Sequence, residues 1–202
     1  MYYFDIIPTE LNEIIISYFF LVDDIKIFLD SLEVLRLNWG TINKYHFGEY
    51  KNTPLTEYLS RLGVEVLIEK LKLPYTIDQL FNLKKLDLSY NQLTQVPPEI
   101  GNLINLRELD LYNNQLTQVP AEIRNLTNLQ ELDLRNNQLT QVPAEIVNLT
   151  NLRRLYLGYN QLTQVPPEIG NLSNLGVLDL GYNQLVRVPL EIRAIPNIII
   201  FE

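Results

Sequence analysis

The sequence predicts an α/β solenoid, with a parallel β-sheet on its concave side, short helical or 3-10 turns on its convex side and a helical amino-terminal cap. Three observations predict it. Asn91, Asn114, Asn137, Asn160 and Asn183 recur at a constant spacing of 23 residues; each sits in the frame Leu-x-Leu-x-x-Asn-Gln-Leu; and each frame is followed by Val-Pro-x-Glu-Ile. A fixed period in the twenties means one small supersecondary unit repeated and stacked.

Each element of the unit follows from its residues. In LRELDLYN, Leu109 and Leu111 alternate with Glu108, Asp110 and Tyr112, the period of a strand with one face buried and one face open. Pro120 then ends regular pairing, because it has no N–H to donate. The segment AEIRNL returns along the far side as a short helical or 3-10 turn, with Ile123 and Leu126 inward. Asn114 is expected to turn its amide into the bend to satisfy backbone groups, and Asn91, Asn114, Asn137, Asn160 and Asn183 together to form a structural ladder. One unit cannot bury its own leucines, so neighbours must stack with strands about 4.8 Å apart.

With these positions in hand, the pattern resembles the leucine-rich repeat family in its 23-residue variety. The likeness covers five full repeats over residues 83–197, with half-repeats at 73–82 and 198–202. It implies a leucine-rich repeat solenoid; it does not by itself imply a task, since one scaffold carries many.

The organisation read from the sequence is a helical head or cap over residues 1–50, a helical linker and degenerate first repeat over 51–82, and the repeats over 83–202. Ile7-Pro8-Thr9-Glu10-Leu11, followed by Glu13-Ile14-Ile15 and Ser17-Tyr18-Phe19, resembles the opening of an F-box. The family's Val-Cys-x-x-Trp segment has no counterpart at its usual place. The resemblance implies a substrate receptor that links a target to a Skp1-cullin ubiquitin ligase, with Pro8, Leu11, Ile14 and Ile15 as Skp1 contacts, in the style of F-box and repeat proteins of large DNA viruses. The other reading makes Pro8 a first-turn proline and the apolar residues after it a cover for the open end of the solenoid. Further on, Thr53 and Pro54 offer a helix start, Leu55, Tyr58, Leu59 and Leu62 line one face, and Gly63 is expected to interrupt the helix.

Composition narrows the function. The chain has no cysteine and one histidine, His46, and its net charge is −8. No disulfide framework is possible, which fits an intracellular, cytoplasmic setting, including that of a host cell. No basic stripe offers itself to nucleic acid or to an anionic membrane. The longest apolar run, residues 14–22, is too short to span a bilayer. A single histidine supplies no metal constellation. With no phosphate loop and no nucleophile–base set, the sequence predicts no catalytic residues, no cofactor and no metal.

What remains is the outward side of the strands. Read by column, it presents Lys85, Glu108, Glu131, Arg154 and Val177; then Asp87, Asp110, Asp133, Tyr156 and Asp179; then Ser89, Tyr112, Arg135, Gly158 and Gly181; and at the strand exit Tyr90, Asn113, Asn136, Tyr159 and Tyr182. Tyrosine and arginine dominate interface hot spots. The candidate partner-binding residues are therefore Tyr112, Arg135, Arg154, Tyr156, Tyr159 and Tyr182. To these are added the carboxylates Asp87, Asp110, Asp133 and Asp179, where a partner's Lys or Arg would relieve repulsion. Arg135 and Arg154 are expected to relieve Asp133, leaving Asp87 and Asp110 with only Lys85. Six strands of four residues make a sheet on the order of 300 Å², against about 800 Å² per partner in a standard interface. That size favours a peptide or a protruding loop. The β-prone end Ile198-Ile199-Ile200-Phe201 is expected to support weak homodimer formation by edge pairing.

Overall fold

The computed structural model describes residues 55–202; residues 63–202 form one compact unit. The F-box-like segment with Pro8, Leu11, Ile14 and Ile15, and the helix start at Thr53 and Pro54, lie outside the described residues.

Helix α1 spans Leu55–Leu71 and runs straight through Gly63. The expected interruption does not occur, and glycine serves close packing instead. A methyl group there would fall 2.2 Å from Nδ2 of Asn102 in the first repeat. Val64 and Leu67, one turn apart, are fully buried in the repeat core. Lys70 completes the docking with a 2.5 Å ion pair to Glu99. Glu99 is the first copy of the glutamate in Val-Pro-x-Glu-Ile, and here it is 3% exposed. The second half of α1 thus covers the first repeat. A short helix, α2 (Ile77–Phe81), follows; Thr76 and Gln79 form a reciprocal capping box at its start, and Leu80 and Phe81 enter the core.

The repeats then proceed as strand and 3-10 turn: β1 (Lys85–Asp87), η1 (Pro98–Asn102), β2 (Glu108–Asp110), η2 (Ala121–Asn125), β3 (Glu131–Asp133), η3 (Ala144–Asn148), β4 (Arg154–Tyr156), η4 (Pro167–Asn171), β5 (Val177–Asp179), α3 (Leu190–Arg193) and β6 (Ile199–Phe201). The strands pair in chain order as a parallel six-stranded sheet. Its register aligns Leu86, Leu109, Leu132, Leu155, Leu178 and Ile200 across the sheet. Proline precedes every return turn, at Pro97, Pro120, Pro143, Pro166 and Pro189, in extended backbone. The isoleucine and leucine of each turn meet the strand leucines in one continuous core.

The asparagine ladder is built for Asn114, Asn137, Asn160 and Asn183. Asn137 donates its amide to Leu111 O, Leu134 O and Arg135 O at 3.0, 3.0 and 3.2 Å, and accepts from Leu116 N at 3.0 Å. Two of these four partners belong to the preceding repeat, so each asparagine completes its predecessor's bend. Asn91 departs from the expected ladder. It is exposed, and its amide reaches only Ser89 O at 2.8 Å, because no equivalent bend precedes it to be completed.

Candidate functional site

The open face of the sheet displays the sequence-predicted columns in register. Arg135 stands at its centre. Its Nε hydrogen-bonds both carboxylate oxygens of Asp133, at 3.0 and 3.1 Å, and Nη2 adds a further bond to Oδ2. The guanidinium carbon lies 4.6 Å from the Tyr156 ring centroid and 5.6 Å from that of Tyr112. A cation held by a carboxylate between two rings is fixed in place without losing all of its donors. Nη1 of Arg135 has no partner among the described residues.

The remaining cations on this face obey the register. Lys85 pairs with Glu108 directly across from it at 2.9 Å, and Arg154 pairs with Glu131 in the same way. This corrects one expectation, since Arg154 bonds Glu131 and not Asp133; Lys85 bonds Glu108 and, as expected, still acts through space on Asp87 and Asp110. The glutamates draw the cations because they stand in the same column, and their longer side chains reach along it. Those hydrogen bonds favour the charged forms of Lys85 and Arg154, and the bond to Asp133 does the same for Arg135.

Asp87, Asp110 and Asp179 are left without an ion pair among the described residues. Each instead accepts a backbone N–H two residues on, from Ser89, Tyr112 and Gly181, at 2.9, 2.9 and 3.0 Å. Asp133 does likewise with Arg135 N. The recurring aspartate therefore has a structural task at the strand exit, locking the bend with one carboxylate oxygen. Ser89 holds the Asp87 carboxyl below its ordinary range through its hydroxyl and its backbone N–H. Burial pushes Asp110 the other way, and Asp133 and Asp87 on either side add to the rise.

The fourth column lies in left-handed backbone throughout: φ is 57° at Tyr90, 54° at Asn113, 55° at Asn136, 54° at Tyr159 and 56° at Tyr182. Asparagine tolerates that region; a side chain such as tyrosine there costs roughly 1–2 kcal/mol. The three tyrosines are nonetheless open to solvent, Tyr182 most of all at 75%. Tyr159 and Tyr182 stack, with centroids 4.1 Å apart and planes 13° from parallel, while Tyr90 meets Tyr112 edge-on. Beside the stack, Gly158 and Gly181 leave the third column empty, and the Asp179 carboxylate leans into the space. A methyl at Gly158 would fall 2.9 Å from its Oδ2.

The sequence columns counted a sixth strand but did not carry its residues onto this face. The last register step is 22 residues, from Val177 to Ile199 and from Asp179 to Phe201. Ile199 thus joins the first column and Phe201 the second, both about half exposed. The shortened spacing was visible in the sequence, but the five asparagines give no signal beyond Asn183. The face therefore runs from charged at β1 and β2, through the Arg135 cluster, to apolar and aromatic at β5 and β6. Among the described residues, no group of acidic and histidine side chains is arranged to hold a metal, and no helix is long and apolar enough to cross a membrane.

Such a stack of identical short units around one leucine core, with a varied outer face, defines a repeat scaffold. The repeat array is a leucine-rich repeat solenoid: a leucine-rich repeat region model matches residues 98–185 and a leucine-rich repeat model matches residues 82–103. Neither match reaches the F-box-like segment. A solved leucine-rich repeat protein of Leptospira interrogans is 44% identical, with a TM-score of 0.59, over 62% of this chain and 32% of that one. The chain thus spans about a third of the length of that protein. The leucine-rich repeat ectodomain of the membrane receptor kinase GASSHO1/SCHENGEN3 from Arabidopsis thaliana, solved in complex with Casparian strip integrity factor 2, is 40% identical. That match covers 52% of this chain and 13% of the other, with a TM-score of 0.49. No match was found among curated proteins. Leucine-rich repeats generally act as protein-interaction modules rather than as enzymes.

Proposed function

We propose that this chain is a non-enzymatic protein-binding module whose open sheet face takes a peptide or a protruding loop of a partner protein. The observation that carries the reading is the central cluster. Arg135, Tyr156 and Tyr112 depart from the residues copied in neighbouring repeats, and Asp133 holds the arginine between the two rings. Near-identical repeats keep what the fold needs; positions that escape the copying are free to serve recognition. The test is affinity capture with the intact chain against an Arg135→Ala/Tyr156→Ala/Tyr159→Ala variant of unchanged melting temperature, followed by direct titration of the captured protein. Loss of binding in this variant, with retention in Gln138→Ala, supports the face. Equal binding by both refutes it.

The F-box-like residues support a second reading, a receptor that brings the bound protein to a Skp1-cullin ubiquitin ligase. It rests on Pro8, Leu11, Ile14 and Ile15 alone. Titration with purified Skp1 tests it: binding lost in Leu11→Ala/Ile14→Ala supports an adaptor, and no binding to the intact chain leaves the interaction module without one.

A further inference from the structure

The face is asymmetric, and its asymmetry specifies a partner. Resting on the sheet-face reading above, we propose that the bound segment is an extended stretch of another protein carrying a lysine or arginine about six residues from an aromatic or large aliphatic side chain, the cation lying over Asp87 and Asp110 and the apolar group against Tyr182 and Phe201.

The charge argument comes first. Lys85, Arg135 and Arg154 are each consumed by a neighbouring carboxylate. Asp87 and Asp110, directly paired in register on adjacent strands, have no ion-pair partner among the described residues and feel Lys85 and Arg135 only through space. Oδ1 of each is tied to a backbone N–H, and Oδ2 of each has no hydrogen-bond partner among the described residues. Two carboxylates about one strand spacing apart repel, and a partner cation set between them replaces repulsion with two attractions. The Tyr90 and Tyr112 rings, 5.2 Å apart at the strand exit, stand close to the same two strands, where their faces add to the field that attracts a cation.

At the other end the chemistry reverses. Val177, Ile199 and Phe201 replace charged residues of the first two columns, leaving Asp179, whose carboxylate is held by Gly181 N–H and leans toward Gly158, and the stacked Tyr159 and Tyr182 offer a broad ring surface. The fold does not require tyrosine in that left-handed position, since asparagine fills it in two of the five repeats. Between the two ends, Arg135 and Arg154 each keep Nη1 without a partner among the described residues, able to donate to the main-chain carbonyls of a segment lying across them. From midway between β1 and β2 to midway between β5 and β6 is four strand spacings, about 19 Å, and an extended chain covers that in about six residues. The net charge of −8 favours the same basic partner at longer range.

The test is selection of a phage-displayed random nonapeptide library on the intact chain, with the consensus peptide then synthesised and titrated. The expected pool places Lys or Arg about five to seven residues from Trp, Tyr, Phe, Leu or Ile. Asp87→Asn/Asp110→Asn is expected to weaken the consensus peptide by tenfold or more and to flatten its salt dependence, and Tyr182→Ala to weaken it without touching the salt dependence. Asparagine keeps the backbone bonds at both positions, so the double variant is expected to stay folded, which circular dichroism at the titration pH checks. A pool that lacks this spacing, or a peptide indifferent to the double substitution, overturns the inference. If that peptide is still lost in Arg135→Ala/Tyr156→Ala, the sheet-face reading stands without it. Binding indifferent to all five substitutions removes both, and so does a selection that enriches nothing.

Discussion

Replacing Asn137 with alanine separates a structural ladder from a merely repeated letter. Its Oδ1 is the sole acceptor for Leu116 N–H, in a position where the residue is 8% exposed. Losing it orphans a buried donor, at about 1–3 kcal/mol. The carbonyls fare better, because Leu111 O also accepts from Asn114 and Leu134 O also accepts from Asn160. Each drops from two donors to one, adding roughly 0.5 kcal/mol apiece as a fraction of an ordinary net hydrogen bond. The sum is about 2–4 kcal/mol. Gln138→Ala, on the exposed neighbour, is expected to stay within about 0.5 kcal/mol of the parent. Asn91→Ala should resemble Gln138→Ala, since Asn91 is exposed and holds only Ser89 O. Urea unfolding followed by circular dichroism, with an unchanged slope, reads all three. A midpoint for Asn137→Ala equal to that of Gln138→Ala, or a loss at Asn91 as large as at Asn137, would refute the reasoning.

Further outcomes follow from the same contacts. Gly170→Ala is expected to destabilise by about 1–3 kcal/mol on overpacking, because its methyl would fall 2.6 Å from the Glu191 carbonyl oxygen; a thermal midpoint at or above the parent's would contradict it. Asp110 and Asp87 should respond to pH with opposite signs. The folded pKa of Asp110 is raised, so its ionised form weakens the fold at neutral pH, and that penalty vanishes as pH falls through the raised value. That of Asp87 is lowered, so its contribution is present above the unfolded carboxylate value and is lost as pH falls through the folded one. Urea titrations from pH 7 to pH 3 on Asp110→Asn and Asp87→Asn should show the two variants diverging from the parent in opposite directions at pH 7 and converging on acidification. With Ile199 and Phe201 exposed on β6, weak self-association is expected at high concentration; light scattering that is strictly monomeric, and unchanged by Ile199→Lys, would dispose of it.

The repeats made most of this fold legible. Alternation around Leu109 and Leu111 gave the strands, Pro120 their end, and the five asparagines the stacking period. What the pattern could not convey was direction: that each asparagine reaches back to its predecessor, which is why Asn91 stands apart. The candidate site was legible as columns and less so as pairs. Glu131 and Asp133 both lie near Arg154, and only the register decides for Glu131. The backbone task of the aspartates stayed hidden, because their bonds to residues two positions on are local and leave no trace in a column. Gly63 was misread for a related reason. Helix propensity sees a flexible residue, whereas the close approach of Asn102 lies 39 positions away in the chain.

The backward reach of the asparagines bears on how such a surface changes over time. Because the four junctions from β1 to β5 use the same handshake, a 23-residue unit duplicated or deleted among them joins its new neighbours through contacts already in place, and the core has nothing to invent. What moves is the outer pattern, sliding the acidic end and the aromatic end closer together or farther apart by one strand width at a time. Under the proposed binding mode, counting modules would retune the length of the bound segment and leave the chemistry at either end untouched.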